Sequence, residues 1–476
     1  MHAGDFLGEV SEDGIKDTRG VGTMLTFDRC RRCFLFALVL LLTGCAAGPR
    51  LMMPTPSVHL EAESDMYADL PPPLKTTEVR LFYVTDRAPE QDEKGSLRYG
   101  HGRSASVAFG TTVVDLGVDI TWEELVEASR TQRRLKPVEL EVREVTEIVR
   151  GPNTPLPYAW VDGKAVQEPT LLAQREAAAE AFRGSLAKQL ALTPRKEVFL
   201  YVHGYHNSFD DAAYALAELW HFLGRTGVPV IYTWPAGYPG VFGYTYDRES
   251  SLFTIYHLRE VLGLLASFPE VEKIHLIAHS RGTDVAVSAV RELTLLARGA
   301  GIDPRQKYKI HNLVLAAPDL DVQVATQRIA GDMLVLSANR FTVYTSPADK
   351  AIGVASKIFQ SPRGRVGTLG LGDVDEAMKG IMEYGRQHDP ANFAIVNFAG
   401  ASDAGHSERD RYGHSYFRDA PTVSSDLVLM LRDDLDPGSP GRPLEPMGIR
   451  FWRIPPGYPA RKPATPAGPI RPIAHP

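Results

Sequence analysis

The chain has 476 residues, of which 44% are hydrophobic and 23% charged, with a formal net charge of −6. That hydrophobic share supplies a globular core and excludes disorder over most of the chain, and no collagen or coiled-coil period runs through it. Lys+Arg 52 against Asp+Glu 58 leaves no basic excess for nucleic-acid or polybasic membrane-surface binding, so no nucleic-acid partner is expected.

The first feature in chain order is an address. The long apolar run Cys33 to Leu42 is too short to span a bilayer as a helix, which takes about 20 residues. Arg29, Arg31 and Arg32 precede it and small residues Thr43 and Gly44 follow, the layout of a secretory signal. Leu42-Thr43-Gly44-Cys45 resembles a bacterial lipobox, which implies cleavage before Cys45 and lipidation of that residue. The expected location is the cell envelope, on the outer membrane or periplasmic face in a Gram-negative host, with the membrane reached through the lipid. The acidic, Gly-rich residues before Met24 do not look like a signal n-region, so translation is expected to start at Met24. Of the three cysteines, Cys30 and Cys33 leave with the signal and Cys45 is acylated. The mature domain then has neither a disulfide nor a cysteine nucleophile.

Residues 1–44 are thus assigned to the signal and 45–76 to a lipidated Cys and Pro-rich tether. Residues 77–435 are assigned to one α/β domain, and 436–476 to an extended or disordered tail punctuated by Pro and Gly. Within the domain, Glu78–Thr85 reads as a strand, as do Ser104–Phe109 and the strictly alternating Val138–Val142. Leu171–Leu190 is Ala-rich and helical. Glu197–Val202 is a continuous apolar run, as expected of a strand buried on both faces. Ser208-Phe-Asp-Asp211 resembles a capping box opening a helix that ends at Gly224. Strands follow at Pro229–Thr233, Ile274–Ala278, Ile310–Ala316, Arg340–Tyr344 and Phe393–Asn397, with helices at Arg248–Phe268 and Thr283–Leu296. Alternation of this kind predicts a mostly parallel central sheet flanked by helices.

The chemistry sits at strand ends. Ile274-His-Leu-Ile-Ala-His279-Ser280-Arg281-Gly282 puts a Ser on a tight strand-to-helix turn, where it stands above the sheet at a helix N-terminus. Small residues must flank such a Ser two places either side. Here they are Gly282 and Ala278, the latter in place of the usual Gly. At the end of the preceding apolar strand, His203-Gly204 can present a backbone N–H near Tyr205 or His206 to an oxyanion, paired with the N–H of Arg281. A Ser nucleophile needs a base, and the base an orienting carboxylate. Chain order and strand order favour Asp349, the first carboxylate after Phe341–Tyr344, and His414 in Gly413-His-Ser-Tyr416. Asp319 competes as the acid and His406 as the base. Trp234, Tyr238, Phe242, Tyr244 and Tyr246 follow a strand end as though lining a pocket or lid. His203, His206 and His221 lack the Cys and acidic spacing of known metal sites, so neither metal nor cofactor is expected.

These strings, with Phe82-Tyr-Val-Thr-Asp-Arg87, Tyr201-Val-His-Gly-Tyr-His-Asn-Ser208, Thr233-Trp-Pro235, Tyr246-Asp-Arg248 and Ala317-Pro-Asp319, resemble a family of bacterial α/β-hydrolases of unassigned substrate, esterase- or lipase-like, over roughly residues 78–430. In that family the motif is commonly Ala-His-Ser-Met-Gly, so Ala278 fits and Arg281 departs. The resemblance implies an α/β-hydrolase fold with Ser280 as nucleophile, His414 as base and Asp349, in preference to Asp319, as acid. It implies hydrolysis of a small-molecule or lipid ester, with amide and thioester cleavage open to the same apparatus. The competing reading is a non-catalytic envelope-binding protein on the same scaffold.

Overall fold

The computed structural model describes residues 49–60, 66–240, 242–370, 392–399 and 412–459, and the described residues from Leu51 onward form one compact unit. The strands in chain order are β1 (Glu78–Gln91), β2 (Leu97–Leu116), β3 (Leu140–Arg150), β4 (Tyr158–Val161), β5 (Lys164–Gln167), β6 (Glu197–Val202), β7 (Val228–Thr233), β8 (Lys273–His279), β9 (Ile310–Ala316), β10 (Arg340–Thr345), β11 (Phe393–Asn397), β12 (Glu445–Gly448) and β13 (Phe451–Arg453). They build an 11-stranded sheet in the order β12-β13-β11-β10-β9-β8-β6-β7-β1-β2-β3 and a separate β4-β5 hairpin. From β13 to β1 every neighbouring pair is parallel, and the antiparallel pairs lie at the two edges.

The apolar runs of the central strands follow from burial on both faces. Val198, Leu200 and Val202 of β6 point into one apolar cluster, Phe199 and Tyr201 into the other. The first cluster is covered by the helices Pro169–Ala191, Gly243–Ser267 and Gly282–Gly299, the second by Phe209–Phe222 and Pro421–Leu431. Ser208 caps the Phe209–Phe222 helix in a reciprocal box with Asp211, and Gly224 leaves it at φ 76°. β3 alternates as its sequence demands, with Leu140 and Val142 buried and Glu141 and Arg143 exposed, because it is an edge strand with a wet face. β2 runs well beyond Ser104–Phe109, carried by antiparallel pairing to β1 that no apolar periodicity announces. The β4-β5 hairpin turns at Asp162-Gly163, both at positive φ, the geometry an Asp-Gly pair favours. β7 returns on one side of β6 and β8 on the other, so the order of strands reverses at β6. Crevices at such a reversal, beyond the carboxyl ends of the strands, are where open α/β sheets hold ligands.

Two segments differ from the expected tether and tail. Met52, Met53 and Tyr67 are buried; Met52 N–H donates to Val138 O at 2.8 Å, Met53 N–H to Glu218 Oε1 at 2.9 Å, and the Tyr67 ring stacks on His221. Residues 51–60 and 66–76 therefore belong to the domain. At the other end, 436–459 folds back and adds β12 and β13 to the sheet edge. The anchor is Arg442, fully buried, whose Nε and Nη2 donate to Asp426 at 2.8 and 2.7 Å. Tyr344 and Tyr458 donate to the same carboxylate at 2.6 and 2.5 Å. Burial alone would push the Asp426 carboxyl up; the Arg442 guanidinium outweighs it and holds it below the usual range. Residues 1–48 and 460–476, with the signal, Cys45 and the last part of the tail, lie outside the described residues.

Removing one partner of a fully buried ion pair leaves an uncompensated charge, a loss of about 3–5 kcal/mol. Arg442→Ala should therefore lower the urea unfolding free energy by that amount, and a loss below about 1 kcal/mol would show that 436–459 is not held to the domain in this way.

Candidate active site

Ser280 occupies the turn between β8 and the Gly282–Gly299 helix at φ 53°, a left-handed conformation costly for a non-Gly residue. The turn is held by Ser280 N–H donating to Ala316 O at 2.9 Å, while Ser280 O accepts from Thr283 N–H and Oγ1. It is also pressed against the end of β6. A Cβ on Gly282 would stand 2.3 Å from His203 O, and one on Gly204 would stand 2.7 Å from Ser280 Cβ. Only glycine allows either approach. Ala278 is fully buried in the apolar cluster, and its methyl is accommodated there.

Three side chains from separate elements meet here. His414 Nε2 lies 2.7 Å from Ser280 Oγ, and His414 Nδ1 lies 2.7 Å from Asp349 Oδ2. With Nδ1–H donated to the carboxylate, Nε2 is left with a lone pair facing the hydroxyl. Asp349 caps the Lys350–Ile358 helix, its Oδ1 accepting from Ile352 N–H at 3.0 Å, so the carboxylate is fixed at both oxygens. It is buried, which strengthens its hold on the imidazole. The competing acid is elsewhere engaged: Asp319 Oδ1 accepts from Arg365 Nη1 at 2.5 Å and Oδ2 from Tyr244 Oη at 3.2 Å. Asp319 is thus not the carboxylate on His414. The competing base, His406, lies outside the described residues.

Backbone donors at the end of β6 and after Ser280 are the candidates for holding an oxyanion. His206 N–H is committed to Asp247 Oδ2 at 3.0 Å. Among the described residues the main-chain N–H groups of Tyr205 and Arg281 donate to no protein acceptor. Of the two donors left open after β6, Tyr205 is therefore the one available.

The frame around these groups was not assigned from sequence. His203 is wholly buried, stacked on Trp234 with ring centroids 5.1 Å apart; its Nε2 accepts from Trp234 N–H and its Nδ1–H donates to Gly204 O. Burial and the Arg87 guanidinium push its pKa down to about 3, so it stays neutral in this role. Arg87 is buried, has no carboxylate partner among the described residues, and donates to Thr233 Oγ1, Gly100 O, Ala236 O and Asn207 O. Asp247 accepts from His206 N–H and Gly237 N–H and joins the two loops after β6 and β7. His279 Nε2–H donates to His414 O at 3.2 Å, and burial holds its pKa well below the ordinary value. Arg87, Asp247 and His279 all fall inside strings quoted above. Position beside a strand end was the available signal, but their partners are distant in sequence.

A cavity of about 300 Å³ opens beside the turn, lined by Arg281, Tyr244, Asp319 and Arg365 among others. Of the five aromatic residues after β7, Tyr244 lines it, its ring 5.0 Å from that of Tyr205; Trp234 is core and Phe242 is exposed. Neither this cavity nor a larger one of about 690 Å³, floored by Val107, Phe109 and Ala178, is lined by Ser280, His414 or Asp349, but the smaller one reaches Arg281, next to Ser280. Chemistry, not size, therefore marks the site. His221 sits apart on Tyr67 and Ser129. Among the described residues no group of three or more His, Cys, Asp or Glu could hold a metal ion.

A doubly wound parallel sheet with a Ser on a strained strand-to-helix turn defines the α/β-hydrolase class. Residues 178–430, more than half of the chain, match the family described as alpha/beta hydrolase of unknown function (DUF900), and the chain belongs to that family. No curated protein matches the sequence.

The close approach at Gly282 can be checked against a neutral control. Gly282→Ala should lower stability by about 1–3 kcal/mol, since the methyl meets backbone that cannot yield. Gly184→Ala, within the Pro169–Ala191 helix and with nothing within 4 Å, should raise it by about 0.5–1 kcal/mol. Equal thermal midpoints for the two variants would contradict the packing described.

Proposed function

We propose that the protein is a serine hydrolase that cleaves carboxylic esters through Ser280, His414 and Asp349. The observation that carries this reading is the unbroken hydrogen-bond chain from Ser280 Oγ through both ring nitrogens of His414 to Asp349 Oδ2. Ser280 Oγ attacks the ester carbonyl as His414 Nε2 takes its proton. Asp349 holds the tautomer and stabilises the imidazolium. The carbonyl oxygen becomes an oxyanion, held by the Tyr205 and Arg281 main-chain N–H groups near the N-terminus of the Gly282–Gly299 helix. The bond to the alcohol breaks, and Nε2–H protonates the leaving oxygen. Water then attacks the acyl-enzyme, giving its proton to Nε2; collapse releases the acid and returns the proton to Ser280 Oγ.

A fluorophosphonate probe should label wild-type protein at Ser280, and Ser280→Ala should lose both labelling and ester hydrolysis while keeping its melting temperature. Asp349→Asn should cut turnover by about 10⁴-fold. Asp319→Asn should act on stability more than on turnover. Near-wild-type turnover in Ser280→Ala sinks the mechanism, and a larger loss at Asp319 reverses the choice of acid. Absence of labelling together with absence of turnover on short and long acyl esters would favour the non-catalytic scaffold.

We also propose that the domain is tethered to the cell envelope through acylated Cys45. The support is Leu42-Thr43-Gly44-Cys45 after a short apolar run; among the described residues no helix is long and apolar enough to cross a membrane. Each acyl CH₂ adds about 0.8 kcal/mol of membrane affinity, so several chains on one residue hold firmly. Mass spectrometry of the mature N-terminus should find acylated Cys45, and Cys45→Ser should abolish processing and detergent partitioning. An unmodified N-terminus starting elsewhere on a non-partitioning protein overturns the anchor.

A further inference from the structure

The cavity beside Ser280 is built from charge. Arg248, Arg281, Arg328 and Arg365 line it, against Asp284, Asp319 and Asp321. The carboxylates are already spent within the protein. Asp284 takes Arg281 at 3.0 Å and Arg328 at 2.5 Å, and Asp319 takes Arg365. Asp321 Oδ1 accepts from Gln323 and Val324 N–H at the start of the next helical turn. Four guanidinium groups against three carboxylates leave one positive charge in excess, and two of the four stand out. Arg248 is exposed, lies with its guanidinium carbon 5.4 Å from the centroid of the Phe359 ring, and has no carboxylate partner among the described residues. Arg365 is buried at 6% exposure, 4.9 Å from the centroid of the same ring, and its Nε is a buried donor with no acceptor among the described residues. A buried guanidinium N–H without an acceptor is costly; Nε is itself shielded from solvent, so a ligand oxygen in the cavity that Arg365 lines would meet it when the side chain turns toward that cavity. The counter-charge such a ligand would bring also balances Arg248.

The pocket adjoins the turn that carries the proposed nucleophile, although Ser280, His414 and Asp349 are not among its lining residues. Arg281 follows Ser280 in sequence, Asp319 N–H donates to Ser280 O at 3.3 Å, and Tyr244 links the pocket wall to Tyr205 through ring contact and to Asp319 through its hydroxyl. A long acyl chain would find little here, since seven of the twelve lining residues carry charge.

We propose that the substrate is an ester bearing a compact oxyanion, a carboxylate or a phosphate, that seats between Arg248 and Arg365 while its carbonyl reaches Ser280. This rests on the serine-hydrolase reading above and narrows it to anionic, short-chain substrates. Planar guanidinium groups suit either oxyanion, so the acyl and the alcohol side are tested apart.

The acyl arm compares 4-nitrophenyl hydrogen glutarate with 4-nitrophenyl pentanoate. The alcohol arm compares the acetyl ester of glycerol 3-phosphate with the acetyl ester of glycerol. In at least one arm the anionic ester should be preferred by about tenfold or more in kcat/KM, mainly through KM. Arg248→Glu should bring that ratio to one or below, and raised salt should shrink it. Independently of turnover, calorimetry on Ser280→Ala should detect binding of glutarate or glycerol 3-phosphate, and the added Arg248→Glu change should abolish it. Ester hydrolysis with no anionic preference in either arm, and no anion binding, overturns the pocket and leaves the hydrolase reading standing. Anion binding sensitive to Arg248→Glu in a wild-type protein that cleaves no ester keeps the pocket and removes the ester reading.

Discussion

The constraint on which the rest depends is the approach of two turns at the point where strand order reverses. The end of β6 and the elbow after β8 sit so close that Gly204 and Gly282 have no room for a Cβ. That contact holds Ser280 at φ 53° and brings the start of the Gly282–Gly299 helix against His203. The strain is local; a helix on one side and two fully buried parallel strands on the other over-determine it. With the elbow fixed, the loop after β10 and the segment at His414 have a fixed point to meet.

Around that contact lies a set of buried polar groups whose work is to hold backbone. Arg87 ties the strand ends β1 and β7 to the carbonyls of Ala236 and Asn207. Asp247 gathers the His206 and Gly237 amides, and His279 fixes the carbonyl of His414. In a low-dielectric interior each of these bonds is strong when made and costly when broken, so the loops around Ser280 are held rigid. His203 and His279 are kept neutral by burial, which preserves the one-donor, one-acceptor pattern that His203 needs.

The two ends of the domain are held by the same kind of bond. Arg442 reaches Asp426, Tyr67 reaches His221, and Met53 reaches Glu218. Pro- and Gly-rich composition suggests an extended or disordered tail, yet in 436–459 one buried guanidinium and a pair of short strands attach the chain to the sheet edge. Composition reports what a segment can do alone; it carries no information about a carboxylate waiting on the Pro421–Leu431 helix.

The sequence by itself determined the elements with strong local signatures. The apolar runs of β6 to β11, the Ser208–Asp211 capping box and the small residues about Ser280 are all written along the chain, because burial on two faces and tight turns restrict residue type position by position. Tertiary structure decided what depends on pairing at a distance. It placed Asp349 rather than Asp319 on His414, because Asp319 is bound by Arg365 and Tyr244. It extended β2 through its ladder with β1, gave Arg87 and Asp247 their partners, and, among the described residues, left Arg248 without a carboxylate and the Nε of Arg365 without an acceptor. A hydrogen bond is satisfied by whatever group the fold brings within 3 Å, and linear sequence does not encode that neighbour in any local pattern.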